Sequence, residues 1–269
     1  MDSYNVLTAF ALTLFAGLST GIGSLLALIT RKTNTRFLST TLGFSAGVMI
    51  YVSFVEILPD AKESLVVALG EKFGSWVTVI SFFCGMFLIG IIDNLVPASE
   101  NPHEAHTVED LSRCETQKNQ NLMRLGIMSA ISIAIHNFPE GLAAFTASMK
   151  DVNLGVPIAI AIAIHNIPEG IAVSVPIYCA TGSRKKAFIY SFLSGLSEPL
   201  GAIIGFFFLY RVFNELSFGI IFALVAGIMV YISLDELLPA AEKYGEHHLS
   251  IYGLIAGMIV MALSLLLAI

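Results

Sequence analysis

The sequence predicts an all-α integral membrane protein of eight transmembrane helices in a 3+2+3 inverted-repeat arrangement. Three observations lead there. The chain is 56% hydrophobic and only 13% charged, whereas a soluble domain carries about a quarter charged residues. Apolar stretches of ~20 residues, the length that crosses a bilayer, recur along the whole chain. A sixteen-residue pattern near one end also returns near the other.

The expected spans are residues 5–29, 37–58, 75–92, 122–148, 154–179, 186–210, 218–238 and 249–269. The first is read as a span and not as a signal peptide, because an acid, Asp2, stands where a basic start belongs and the apolar run is too long. One connection, 93–121, is long, polar and acidic, with Pro97 and Pro102; it is expected to be a flexible cytoplasmic loop. Residues 1–269 as a whole are expected to form one transmembrane domain.

Basic residues set the orientation. Arg31, Lys32, Arg36, Arg113, Lys118, Arg124, Arg184, Lys185, Lys186 and Lys243 fall on one side of the predicted layout, against Lys62, Lys72, Lys150 and Arg211 on the other. The richer side is assigned to the cytoplasm, which puts both termini outside it in a multi-pass protein of the plasma (inner) membrane. The bilayer is therefore a partner, and the absence of a basic stripe argues against nucleic acid. Cys84, Cys114 and Cys179 share no metal-ligand spacing; Cys84 and Cys179 read as buried small hydrophobes.

The second span contains AGVMIYVSFVEILPDA (46–61) and the seventh AGIMVYISLDELLPAA (226–241), identical at nine of sixteen positions with a constant offset of 180. Five spans separate the copies, so they point opposite ways. The first and sixth spans echo each other as AGLSTGIG (16–23) and SGLSEPLG (194–201). Inverted repeats of this kind accompany alternating access, in which two related halves exchange roles. Glu56 and Glu236 are the same residue of the two copies, and Asp235 stands beside the second. They are read as acids at the two mouths of a pathway, Glu56 outside and Glu236 inside, concentrating cations by their local field. The Leu-Pro that follows each is expected to kink or stop the helix.

The chemistry lies in the central pair. Span four reads IAIHNFPEGLA (133–143) and span five IAIHNIPEGIA (162–172). Ionisable side chains inside a membrane helix cost on the order of 3 kcal/mol or more each, so they mark a pathway or a site. His136 and Glu140 are four residues apart and share one helix face, as do His165 and Glu169, while Asn137 and Asn166 lie on the neighbouring stripe. Pro139 and Pro168 free the carbonyls of Ile135 and Ile164. Gly141 and Gly170 are expected to let the two central helices approach closely.

Two imidazoles and two carboxylates suit a four-coordinate first-row divalent ion. The carboxylates balance its charge, and imidazole disfavours calcium and magnesium. Asn137, Asn166 and Glu198 would supply a second, oxygen-rich position that shares Glu140 and Glu169 as bridges.

At HNFPEG (136–141), HNIPEG (165–170) and SGLSEPLGA (194–202) the chain resembles the ZIP family of metal transporters, its broad-range bacterial ZupT-like branch above all. The resemblance implies a binuclear centre, with His136, Glu140, His165 and Glu169 as the first site. Asn137, Asn166 and Glu198, with both bridging glutamates, form the implied second. It also implies a homodimer that moves ions toward the cytoplasm and holds no resident cofactor: the metals are cargo, zinc first, then iron(II), manganese, cobalt and cadmium. The family's long loop is often histidine-rich; here it has only His103 and His106, beside Glu100, Glu104, Glu109 and Asp110, and reads as a solvated connection, as do Glu246, His247 and His248.

The competing reading is a membrane-embedded di-metal enzyme. Such proteins bring Glu and His together from facing helices, but with Glu-x-x-His spacing and with no need for an inverted repeat. A non-transporting membrane receptor is the third.

Overall fold

The structure, a computed structural model, describes residues 3–29, 35–95, 120–150, 152–212, 214–244 and 247–267. The described residues contain helices and no strand: α1 (Ser3–Ile29), α2 (Thr35–Val52), α3 (Leu58–Leu69), α4 (Glu71–Leu95), α5 (Gln120–Lys150), α6 (Val152–Thr181), α7 (Arg184–Gly195), α8 (Ser197–Val212), α9 (Glu215–Ile232), α10 (Leu238–Tyr244) and α11 (His247–Leu267). Most of the 93–121 connection, with His103 and His106, its acids and Cys114, lies outside the described residues, as does Glu246.

Seven stretches among the described residues are long and apolar enough to cross a membrane: α1, α2 with α3, α4, α6, α7 with α8, α9 with α10, and α11. The 31-residue α5 is not among them; it carries His136, Asn137 and Glu140 and packs along α6. The outer surface is apolar, with Phe15, Trp76, Ile80, Phe83, Phe87 and Leu263 exposed, while Asn137, Glu140, Asn166 and Glu198 are fully buried. That is the reverse of a soluble protein and follows from a hydrocarbon surround, which rewards apolar surface and leaves no water for buried polar groups. Cys84 corrects its expected place: it is exposed, on the same outward stripe of α4 as Ile80, Phe83 and Phe87. Cys179 is buried as expected.

The two repeat copies share an unexpected local form. Neither helix stops at its Leu-Pro. Each instead widens into a five-residue π turn, Ser53–Ile57 between α2 and α3 and Ser233–Leu237 between α9 and α10. Proline has no N–H to donate and its ring crowds the carbonyl four residues back. In the wider turn the N–H of Leu58 reaches the Ser53 carbonyl, and that of Leu238 reaches the Ser233 carbonyl. The serine hydroxyls repeat as well: Ser53 Oγ donates to Met49 O (2.6 Å) and Ser233 Oγ to Met229 O (2.7 Å). The chain therefore runs on through the proline, and the span expected to end at Leu58 ends at Leu69.

Helix packing repeats on the same plan. Helix α2 lies along α11 and α9 along α4, while α1 lies along α6 and α7–α8 along α5. Glycines without a Cβ let these backbones touch. A Cβ on Gly47 would lie 2.0 Å from Leu254 O, and one on Gly227 would lie 1.9 Å from Phe82 O. Gly257 meets Phe44 O (2.0 Å) as Gly85 meets Leu224 O (2.0 Å). Gly170 meets Thr20 O (1.9 Å) as Gly141 meets Glu198 O (2.1 Å), and Gly23 meets Ile167 O (1.9 Å) as Gly201 meets Phe138 O (2.3 Å). In every pair the second contact is the first one moved to the equivalent residues, by constant offsets of 180, 172, 178 and 29 for the four helix correspondences.

Equivalent contacts should fail alike. Gly47→Leu and Gly227→Leu are each expected to destabilise the protein by about 2 kcal/mol or more through overpacking. Thermal melting in detergent measures this, and a large loss for one variant with none for the other would contradict the equivalence.

Candidate metal centre

Helices α5 and α6 run through Pro139 and Pro168 without interruption, so the two His-Asn-x-Pro-Glu-Gly motifs stay on regular turns and keep their face assignments. Asn137, Glu140 and Asn166 are fully buried, with His165 and Glu169 3% and 7% exposed. His136 lies on α5 one turn before Glu140, and its side chain is outside the described residues.

Glu169 is a meeting point. Its Oε1 lies 3.1 Å from His165 Nε2, one turn earlier on α6. Its Oε2 accepts from Asn137 of α5: the orientation of that amide which satisfies its surroundings has Nδ2 donating to Glu169 Oε2 (3.1 Å) and to Ile133 O (3.1 Å). One carboxylate thus binds the two central helices together.

A second knot forms around Glu198. The expected sixth span is broken: α7 ends at Gly195, Leu196 forms a turn, and α8 begins at Ser197. Glu198 is therefore in the first turn of α8, with Pro199 following it. An acid there is favoured by the positive end of the helix dipole, and Pro199 is tolerated because first-turn N–H groups have no helical acceptor. Asn166 reaches this carboxylate from α6, its Nδ2 donating to Glu198 Oε1 and also to Ala16 O of α1 (2.8 Å). Gly141 brings α5 directly onto the Glu198 backbone, so the turn that holds Glu140 is also the turn that touches Glu198. This corrects the expected role of the glycines: Gly141 and Gly170 admit α8 and α1 respectively, and not one central helix to the other.

The structure draws five of the seven predicted site residues into two buried knots, His165, Glu169 and Asn137 in one and Asn166 and Glu198 in the other, and buries Glu140 on the α5 turn that packs on Glu198. Among the described residues no three His, Cys, Asp or Glu side chains by themselves form a metal-holding group; each knot pairs one carboxylate with one amide, Glu169 with Asn137 and Glu198 with Asn166. A carboxamide oxygen is a hard neutral donor of the kind an oxygen-rich position uses, and the imidazole of His165 supplies nitrogen. The donor set thus suits a divalent transition ion.

Glu56, Asp235 and Glu236 sit in the two π turns; Glu56 is half-buried, Asp235 exposed and Glu236 buried. His248 is exposed and stacks on Tyr252. Sequence reasoning missed the α1 contribution, the carbonyl of Ala16, because a backbone acceptor leaves no trace in side-chain chemistry. It also missed the α7–α8 break, although Ser-Glu-Pro at 197–199 carries a helix-start signature.

A family model described as ZIP zinc transporter matches residues 93–265. The zinc transporter ZupT of Streptococcus mutans is 64% identical over 265 residues, covering 98% of this chain and 99% of the relative. That of Chlorobium chlorochromatii is 62% identical over 263 residues, 98% of each chain. That of Clostridium perfringens is 61% identical over 275 residues, 98% of this chain and 96% of the relative. With such matches along nearly its whole length, the chain belongs to the ZIP zinc transporter family, whose members are membrane transporters and not enzymes.

Proposed function

We propose that this protein takes up zinc, and with it iron(II), manganese, cobalt and cadmium, toward the cytoplasm through a two-ion site between α5 and α6. The observation that carries the reading is that the two copies of one motif, with Glu198, place their polar groups in two buried knots that span α5, α6 and α8. Near-neutral packing has no use for three buried glutamates, whereas a divalent ion offsets their charge in a low-dielectric surround. His136, Glu140, His165 and Glu169 hold the first ion. Asn137, Asn166 and Glu198 hold the second, with Glu140 and Glu169 bridging. When an asparagine turns its Oδ1 toward an ion, it also releases the carboxylate that its Nδ2 had engaged, so both oxygens reach the ion together.

The working architecture is one transmembrane domain of eight spans in a 3+2+3 inverted repeat, with α5 as the fourth span, both termini outside and the 93–121 loop cytoplasmic. Repetition of the glycine contacts and of the π turns supports it. The protein works as a homodimer in the plasma membrane. Glu56 draws ions to the outer mouth and Glu236, beside Asp235, releases them at the inner one.

Two experiments test this. His136→Ala combined with His165→Ala should abolish high-affinity zinc binding while leaving the protein folded and membrane-inserted; zinc flux into proteoliposomes at the unmodified rate would refute the ligand assignment. Glu56→Gln and Glu236→Gln should each lower flux yet leave equilibrium affinity at the central site within several-fold. External calcium or magnesium should screen the Glu56 step and leave the Glu236 step largely untouched, and normal transport by both variants across a metal titration would remove the mouths from these positions.

A further inference from the structure

Hydroxyls in the helices of this protein usually donate to the carbonyl one turn back. Thr13 bonds Ala9 O (3.0 Å), Thr78 bonds Gly74 O (2.8 Å), Thr146 bonds Leu142 O (2.7 Å) and Ser148 bonds Ala144 O (2.6 Å). Thr20 and Ser24 of α1 do not. Both are fully buried, and neither Oγ has a hydrogen-bond partner among the described residues. The reason is visible one turn back. Thr20 would donate to Ala16 O, which instead receives Asn166 Nδ2 at 2.8 Å. Ser24 would donate to Thr20 O, which instead receives Ser191 Oγ at 3.3 Å. Neighbouring helices have taken the ordinary acceptors. A buried hydroxyl left this way costs about 1–3 kcal/mol, a cost a membrane protein can remove by substituting alanine or valine.

The location is specific. Thr20 Oγ1 faces Gly195, where an added Cβ would stand 2.8 Å from that oxygen. On the same face, a Cβ on Gly17 would lie 3.3 Å from the Cβ of Glu198 and 3.1 Å from Pro199 Cδ. Thr20 therefore flanks the knot in which Asn166 engages Glu198, and Asn166 Oδ1 is likewise buried with no hydrogen-bond partner among the described residues. In the repeat alignment of 16–23 with 194–201, Thr20 is also the residue equivalent to Glu198. The same position carries a neutral oxygen in one half and an acid in the other.

We infer that Thr20 is a further ion-positioning residue, its hydroxyl oxygen joining Asn166 Oδ1 and Glu198 at the oxygen-rich position and biasing it toward ions that take more oxygen ligands than zinc does. Zinc is satisfied by four ligands and favours nitrogen or sulfur. Manganese(II) suits six oxygens, so an added neutral oxygen helps manganese more. The inference rests on the two-ion reading above.

The test compares zinc and manganese in parallel, in proteoliposomes for flux and by manganese paramagnetic resonance for binding. Thr20→Val keeps the shape and removes the oxygen; Thr20→Ala removes it without branched bulk; Thr20→Ser keeps it. Manganese binding and flux should fall at least roughly tenfold in the Val and Ala variants, with zinc flux changed far less, and Thr20→Ser should restore manganese. Zinc flux also reports that the variants fold. If zinc and manganese fall together in both variants, or if neither changes, or if the unmodified protein binds no manganese, the inference is overturned. Zinc flux surviving in the combined His136 and His165 variant would instead overturn the two-ion reading itself, so the two failures are told apart.

Discussion

Asn166 joins three helices through a single amide nitrogen. From α6 it donates to the Ala16 carbonyl of α1 and to the Glu198 carboxylate of α8. In water such bonds contribute little, because solvent competes for every group. Inside a bilayer the alternative to a bond is an unsatisfied polar atom, at a cost of several kcal/mol. The positions of α1 and α8 around α6 are thereby tightly determined. Asn137 joins two helices from α5, tying its own to Glu169 of α6. In each of the two knots a neutral amide meets the acid.

The rest of the bundle is organised to hold that centre from two equivalent sides. Gly170 against Thr20 and Gly141 against Glu198 are one contact made twice, and the same holds for Gly47 with Leu254 and Gly227 with Phe82. Equivalent contacts in two related halves are what alternating access would draw on. The π turns occur at equivalent positions too, and each places an acid, Glu56 or Glu236, just ahead of its proline. A five-residue widening is a local loosening of the helical ladder, of the kind often found at functional positions. The equivalence is broken at one position: Glu198 has Thr20 as its counterpart, so the two halves differ in charge there.

Much of this was legible in the chain. Membrane residence followed from the apolar stretches, the repeat from residues 46–61 and 226–241, and the buried polar positions from the paired His-Asn-x-Pro-Glu-Gly motifs, because side-chain identity and spacing encode faces of a helix directly. What was not legible depended on the backbone. The Leu-Pro pairs were expected to kink or end their helices, and the π turn absorbs them instead. Glycines 141 and 170 were expected to bring the central helices together, yet they admit α8 and α1, since a sequence shows that a close approach is permitted and not which neighbour makes it. The Ala16 carbonyl and the break at Leu196 belong to the same class: main-chain atoms take part in the site while their side chains are ordinary.

The central claim, that the two motifs and Glu198 form a two-ion centre, is tested most directly by X-ray absorption at the zinc edge on zinc-loaded protein of known metal content. The account predicts two zinc ions per chain, a first shell of nitrogen and oxygen at about 2.0–2.1 Å with imidazole scattering, and a zinc–zinc vector of roughly 3.5–4 Å. A single ion per chain in an all-oxygen shell, with no imidazole and no metal–metal vector, would contradict it.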